Sequence, residues 1–354
     1  MSDKPDLRSL TEGDLLDFCA RHSQPKFRAA QILDWLYAKR ASAIPEMSNL
    51  PRSLRDALSS DFTLQLPSVA RAQGSADTTR KFLVKLRDDQ LVETVLIPAS
   101  VGLYGDRSER HTLCVSTQVG CAYGCKFCAS GLDGFRRNLT SDEIVGEMIL
   151  AEREGGQKIN NLVFMGMGEP LANYANLLRA IRILNAPWGL GLGARKITIS
   201  TSGLAPQIRQ LANEDLQVRL AISLHGARDE VRDRIMPVNR KYPLAELVAA
   251  CEEYQNIRGR LITFEYILLD GVNNDLREAP PLADLARRCH AKINLIPFNE
   301  VPETGFKRPT DEQCLKFRDE LGRLGVTATL RMEKGHDIDA ACGQLRLREM
   351  READ

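Results

Sequence analysis

With 354 residues, 43% hydrophobic and 27% charged, the chain holds enough material for one large core and a smaller appended unit, at about 100–200 residues per domain. A formal net charge of +1 excludes a strongly basic or acidic protein but leaves room for a local basic patch. No run of about 18 apolar residues occurs, and the charged opening MSDKPDLRSL lacks a signal-peptide core, so a cytoplasmic protein with no membrane partner is expected. In that compartment nine cysteines read as ligands or reactive thiols rather than a disulfide framework.

Residues 1–66 are predicted as a small helical domain. Thr11 and Asp14 have capping-box spacing ahead of Leu15, Leu16, Phe18 and Cys19. A second helix over 26–39 carries Ile32, Leu33, Leu36 and Tyr37, and a third over 50–57 starts at Pro51. Residues 67–110 are predicted as a linker and a β-hairpin extension. Residues 67–79, with Gly74 and Ser75, read as the linker; strands over 81–86 and 91–97 flank the polar turn Arg87-Asp88-Asp89-Gln90. A loop over 98–110 follows. From Thr112 the pattern alternates, with strands over 112–116, 161–164, 196–200, 218–224, 261–268, 292–297 and 326–331, and helices between them such as 141–153 and 173–184. That repetition predicts an α/β fold: a partial, open parallel β/α barrel over 111–345, followed by a tail over 346–354.

The first barrel strand leads to Gly120-Cys121-Ala122-Tyr123-Gly124-Cys125-Lys126-Phe127-Cys128. A structural zinc site or a ferredoxin would need a fourth protein ligand, and no second Cys-x2-Cys pair exists. Cys121, Cys125 and Cys128 therefore point to a 4Fe–4S cluster with one open iron. Such an iron can chelate the amino and carboxylate groups of S-adenosylmethionine (SAM), and an electron passed to the sulfonium yields a 5′-deoxyadenosyl radical. The spacing, with Phe127 before the last cysteine, strongly resembles the radical SAM superfamily. After the second barrel strand, Gly166-Met167-Gly168-Glu169-Pro170 resembles that superfamily's SAM-binding glycine motif; alone it could be a turn closed by proline. Ser200-Thr201-Ser202-Gly203, Ser223-Leu224-His225-Gly226 and Ile296-Pro297-Phe298-Asn299 also sit at strand ends, where a barrel gathers ligand contacts.

Taken with Met165-Gly166-Met167-Gly168-Glu169-Pro170, the Ser200 motif and the run from Gly335-His336-Asp337 through Ala340-Ala341-Cys342-Gly343-Gln344-Leu345 resemble the RlmN family, whose members methylate carbon 2 of adenine in 23S rRNA and tRNA. The resemblance runs from the helical unit through Leu345; the last nine residues depart from it. It implies two SAM molecules per turnover, Cys342 as methyl carrier, Cys114 as resolving thiol and Glu93 as base. It also implies SAM contacts at Gly168, Glu169, Ser200, Ser223, Leu224, His225 and Asn299, an electron donor such as flavodoxin or ferredoxin, and a monomer. Glu93 stands in the apolar strand Leu91-Val92-Glu93-Thr94-Val95-Leu96-Ile97, where burial would raise its basicity. From the residues alone, Cys114 also reads as a core cysteine, Cys342 as an incidental loop thiol and Glu93 as an outward-facing edge residue. Cys19, Cys251, Cys289 and Cys314 match nothing and are expected to be packing or surface residues. Arg107, Arg110, Lys126, Arg136 and Arg137, which surround the cysteine loop, are expected to meet RNA phosphates, as Lys307 and Arg308 further on could; such charges also read as a solvated face. The nearest alternative is a carbon-8 adenine methyltransferase of the Cfr type; Glu169-Pro170, the Ser200 motif and the helical unit favour carbon 2. A glycyl-radical activase would have no use for Cys114 and Cys342, and a non-enzymatic iron–sulfur RNA-binding module would not cleave SAM.

Overall fold

The computed structural model describes residues 4–99, 110–132 and 134–331, together with 335, 338, 340 and 344. Helices α1 (Glu12–Arg21), α2 (Phe27–Leu33, continued by a π turn over Asp34–Ala38) and α3 (Arg52–Asp61) form the N-terminal unit. The capping box at Thr11 forms as expected: Thr11 Oγ1 accepts from the Asp14 N–H at 3.3 Å, and Asp14 Oδ2 accepts from the Thr11 N–H at 2.8 Å. Leu15, Phe18, Ile32, Leu33, Leu36, Leu54 and Leu58 close its core.

Among the described residues the main sheet has ten strands, in the order β1-β2-β3-β4-β7-β8-β9-β10-β11-β12, of which β1 is Ser68–Gly74, β2 Arg80–Lys85 and β3 Leu91–Pro98. The barrel strands are β4 (His111–Cys114), β7 (Asn161–Phe164), β8 (Ile197–Thr201), β9 (Arg219–Ser223), β10 (Ile262–Leu268), β11 (Ala291–Pro297) and β12 (Ala328–Leu330). Each pairs in parallel with the next. Because every crossover steps the same way, the sheet never reverses direction, as it would in a doubly wound fold, and its helices stay on one side. These include α4 (Ser141–Gly155) and α5 (Tyr174–Asn185), then α6 (Ala205–Ala212), α7 (Asp229–Ile235), α8 (Leu244–Arg258), α9 (Ala279–Arg288) and α10 (Asp311–Arg323). The helical unit docks on this layer, where Arg179 of α5 donates to Asp14 Oδ2 and Tyr37 meets Trp188 at 6.1 Å between ring centroids.

Two readings need correction. Residues 67–79 are not a linker. Ser68–Gly74 form β1, which pairs antiparallel with β2 (Arg80–Lys85), itself antiparallel to β3 (Leu91–Pro98). β3 then pairs antiparallel with β4, so this extension is continuous with the barrel sheet. The cysteine motif also does not hang directly from the first barrel strand. A separate hairpin of β5 (Gln118–Gly120) and β6 (Phe135–Asn138) carries it.

Candidate active site

The cysteine loop is pinned at both ends. Gly120 holds φ at 72°, and a Cβ there would fall 1.8 Å from the Gly134 oxygen, so only glycine fits the close. The Cys121 N–H donates to that same oxygen at 3.0 Å. The Lys126 N–H donates to the Ile235 carbonyl at 2.8 Å, tying the loop to the end of α7. Phe127 is buried edge-on against His225, with centroids 4.8 Å apart.

Cys121, Cys125 and Cys128 line one cavity together with Gly166, Gly168, Glu169, Ser200, Ser223 and His225. The cavity spans about 900 Å³, counting the space open to solvent. Leu224 and Asn299 are buried at the ends of β9 and β11. Burial pushes the Cys121 thiol up to about 12, and Cys128 and Glu169 add to this; burial likewise raises Cys125, with Cys128 and Cys121 adding. Thiols that oppose one another's ionisation in a buried loop suit a bound cationic iron centre that converts them to thiolates. Among the described residues no three His, Cys, Asp or Glu side chains close on a single ion. A 4Fe–4S cluster makes no such demand, since each thiolate takes a separate iron.

The glycine motif is held against the segment after β4. Ser116 Oγ accepts from the Met167 N–H at 2.9 Å and donates to the Glu93 carbonyl at 2.7 Å. Gly168 has φ of 98°, and a Cβ there would meet the Gln118 side chain at 2.5 Å. Both oxygens of the buried Glu169 carboxylate accept backbone N–H groups, Oε1 from Leu171 at 3.0 Å and Oε2 from Ser202 at 2.7 Å. Glu169 thereby ties the glycine motif to the Ser200 motif. Burial still raises its pKa, against the hydrogen bonds from Ser202. Ser200 Oγ and Ser223 Oγ stand 3.5 Å apart. His225 Nδ1 accepts from the Ile267 N–H at 3.0 Å, which leaves the ring proton on Nε2. Burial, with Arg232 adding, lowers its pKa to about 3, so the ring is neutral.

Several residues of this site are not singled out by the sequence motifs. Arg232, fully buried on α7, donates from Nε to the Leu224 carbonyl at 2.9 Å, from Nη1 to Asn239 Oδ1 at 2.7 Å and from Nη2 to the Ser202 carbonyl at 2.6 Å. It clips two strand-end loops together; in sequence it reads as one charge in a solvated run. Glu265 and Arg331 also line the cavity. Glu265 accepts from Asn294 Nδ2 at 2.6 Å, and register aligns Ser223, Glu265 and Asn294 across β9, β10 and β11. An acid inside an apolar strand was a usable signal for Glu265, as it was for Glu93.

Glu93 is buried but not solitary: Lys81 Nζ lies 3.1 Å from its Oε1. Cys114 is buried, and register pairs it with Val95, two residues from Glu93, so Cys114 and Glu93 share a face. Cys342, like Arg107, lies outside the described residues. Upstream of it, Asp77 Oδ2, in the turn between β1 and β2, accepts the Gly335 N–H at 2.8 Å. Arg137 is held by two carboxylates. Asp88 and Glu143 both bind its guanidinium, at 2.7 and 2.8 Å. Arg308 pairs with Asp311 at 3.3 Å, whereas Lys126, Arg136 and Lys307 are exposed. Cys19, Cys251, Cys289 and Cys314 are buried packing residues. No helix among the described residues is long and apolar enough to cross a membrane.

The radical SAM superfamily profile matches residues 115–279, which span the cysteine loop, the glycine motif and the strand-end loops just described. The chain is thus a radical SAM enzyme, a class built on a 4Fe–4S cluster and SAM. The profile of the ribosomal RNA large subunit methyltransferase N-terminal domain matches residues 5–64. An RlmN relative from Akkermansia muciniphila is 52% identical over 98% of this chain and 97% of its own. The dual-specificity RNA methyltransferase RlmN of Syntrophus aciditrophicus is 46% identical over 96% and 95%. The crystal structure of a radical SAM methyltransferase from Sphaerobacter thermophilus superposes with a TM-score of 0.89 at 43% identity, covering 97% of this chain and 99% of that one. The chain belongs to the RlmN family of dual-specificity RNA methyltransferases.

Proposed function

We propose that the protein methylates carbon 2 of adenine in 23S rRNA and in tRNA, consuming two SAM molecules per turnover. The observation that carries this reading is the shared face of Glu93 and Cys114, joined through Ser116 to the glycine motif. Carbon 2 lies between two ring nitrogens and is too electron-poor to attack a sulfonium methyl, so a carbon radical must be delivered to it. When bound, the cluster supplies the electron that cleaves SAM to such a radical.

The chain's own residues do the rest. Cys121, Cys125 and Cys128 hold the cluster, and Gly168, Glu169, Ser200, Ser223, Leu224, His225 and Asn299 hold SAM. Cys342 takes a methyl from one SAM by displacement, its sulfur bonding the carbon as the sulfonium leaves. After that methyl gives a hydrogen atom to the 5′-deoxyadenosyl radical, forming 5′-deoxyadenosine, its carbon bonds carbon 2 and joins protein to RNA by a thioether, and the unpaired electron left on the ring passes back to the electron carrier. Glu93 takes the carbon-2 proton. Cys114 then attacks the Cys342 sulfur as a thiolate: an S–S bond forms, the S–C bond breaks with its electron pair on carbon, that carbon takes up a proton, and methyladenine leaves. The disulfide returns to two thiols by exchange with a reductant. A flavodoxin or ferredoxin supplies electrons to the cluster, and the protein works as a monomer in the cytoplasm.

The test is a pair of variants purified from cells. Cys114→Ala retains the carrier but lacks the attacking thiol, so a denaturing gel should show RNA joined to protein. Cys342→Ala should show neither adduct nor product. Nuclease digestion and mass spectrometry of wild-type product should place the methyl on carbon 2. Identical behaviour of the two variants, or a carbon-8 product, overturns the reading.

A further inference from the structure

The antiparallel extension has two unlike faces. Register pairs Lys81 with Val95, Leu83 with Glu93 and Val95 with Cys114, so Lys81, Leu83, Glu93, Val95 and Cys114 share one face. The opposite face carries Phe82, Val84, Val92, Leu96 and Leu113, all buried, and packs toward α4; a Cβ at Gly155 would touch Leu96 at 2.8 Å. Two charges therefore lie on the Cys114 face, where each side chain is 10% exposed or less. Lysine is among the side chains least often buried, and a buried ion pair is a poor source of stability, since apolar residues of similar volume commonly do as well. What such a pair does provide is a fixed position for each charge.

We infer that Lys81 is a positioning residue for proton removal: its ammonium, 3.1 Å from Glu93 Oε1, holds Glu93 as an oriented carboxylate on the face it shares with Cys114. The inference rests on the reading of Glu93 as the base. In the step concerned, the carbon-2 C–H bond breaks, its proton goes to a Glu93 oxygen and its electron pair stays in the adenine ring. A carboxylate has two oxygens with separate lone pairs, so Lys81 fixes the group through Oε1 without using its whole acceptor capacity. Lys81 is not among the described residues that line the cavity around the cysteine loop. It acts on one late step and on no earlier one.

The experiment uses reconstituted holoenzyme and an RNA substrate carrying either hydrogen or deuterium at adenine carbon 2. Lys81→Met should keep methylation of Cys342 and release of 5′-deoxyadenosine. Its product formation should fall by about 10- to 100-fold, a part of the roughly 10²- to 10⁴-fold that a general base contributes. The deuterium isotope effect on product formation should rise above the wild-type value, because C–H cleavage has become slower than its neighbours. Lys81→Arg, which keeps the charge, should recover most of the rate. If Lys81→Met fails to fold, Lys81→Gln decides, since it keeps a donor toward Glu93 but no charge and should show the same raised isotope effect. A wild-type rate and isotope effect in the neutral variants overturn the inference, as does equal loss at every step. Glu93→Gln separates the two readings. If it turns over normally, the base assignment itself falls. If it stalls while the neutral Lys81 variants do not, only the role of Lys81 falls.

Discussion

The parallel barrel and the antiparallel extension place their polar groups by different means. In the barrel, most of the polar groups lining the cavity stand at strand ends: Glu169 beyond β7, Ser200 near the end of β8, Ser223 and His225 at the end of β9, with Glu265 in the middle of β10 the exception. In the extension they stand in mid-strand, with Lys81 in β2 and Glu93 in β3. A strand buried on both sides can spare polar residues chiefly at its ends, where turns free the backbone. An antiparallel strand with one face packed on the core can carry them at alternate positions on its other face. One region thus builds by loops and the other by register, so changes in them should fail in different ways.

The largest expected effect is at the barrel end. Cys125→Ala should abolish iron loading and 5′-deoxyadenosine release together, by more than about 10³-fold, because no other electron source drives the cleavage. The circular dichroism of the fold should stay as in wild type. Retained SAM cleavage would break the comparison at once. A smaller but still severe effect is expected at Arg232, which joins two strand-end loops and touches no strand of the extension. Burial lowers its pKa to about 10, against the pull of Cys125 and Asp229, so it remains charged at neutral pH. Arg232→Met should cost about 3–5 kcal/mol in urea unfolding, mainly by stranding the carbonyls of Leu224 and Ser202. SAM affinity should fall with it, measurable by equilibrium dialysis; normal affinity would show that the loops hold their places unaided.

The smallest effect is a pH dependence at His225. Its folded pKa of about 3 lies below the ordinary 6.5, so the unfolded chain binds a proton that the folded one refuses. Stability from this source is complete above pH 6.5 and declines as pH falls toward 3. Between pH 6.5 and 5 the loss should be about 2 kcal/mol by urea titration. His225→Asn, which tolerates the local φ of 54° and keeps an acceptor for the Ile267 N–H, should remove that part of the acid sensitivity. An unchanged slope would assign the acid sensitivity elsewhere.

The same contrast governs what could be read in the sequence. The barrel strands were legible because apolar runs alternate with helical periods, and the cluster loop was legible because three cysteines lie within one short segment. β1 was missed because it is an edge strand: Ser68, Arg71 and Gly74 are exposed, so it lacks the buried face that marks a strand. β5 and β6 are too short to carry a period at all. The hairpin of β2 and β3 was read correctly, yet Lys81 was not recognised as the partner of Glu93. That pairing needs the register, which Asp89 sets by closing the turn at a φ of 63°. The ion pair of Arg137 is not legible in the sequence because Asp88 is 49 residues away.

The hydrogen bond from Gly335 to Asp77 joins positions 258 residues apart. At about 5–20 residues per second, translation separates their emergence by roughly 10–50 s. For that interval the turn between β1 and β2 is already made while the segment it will hold does not yet exist. Residues 118–138, with the three cysteines of the loop, are among those synthesised in between. The order of synthesis therefore lets the ligand loop and most of the barrel assemble first, and the clasp at Asp77 fastens late. An early turn thus serves as a preformed receptor for a late segment of its own chain.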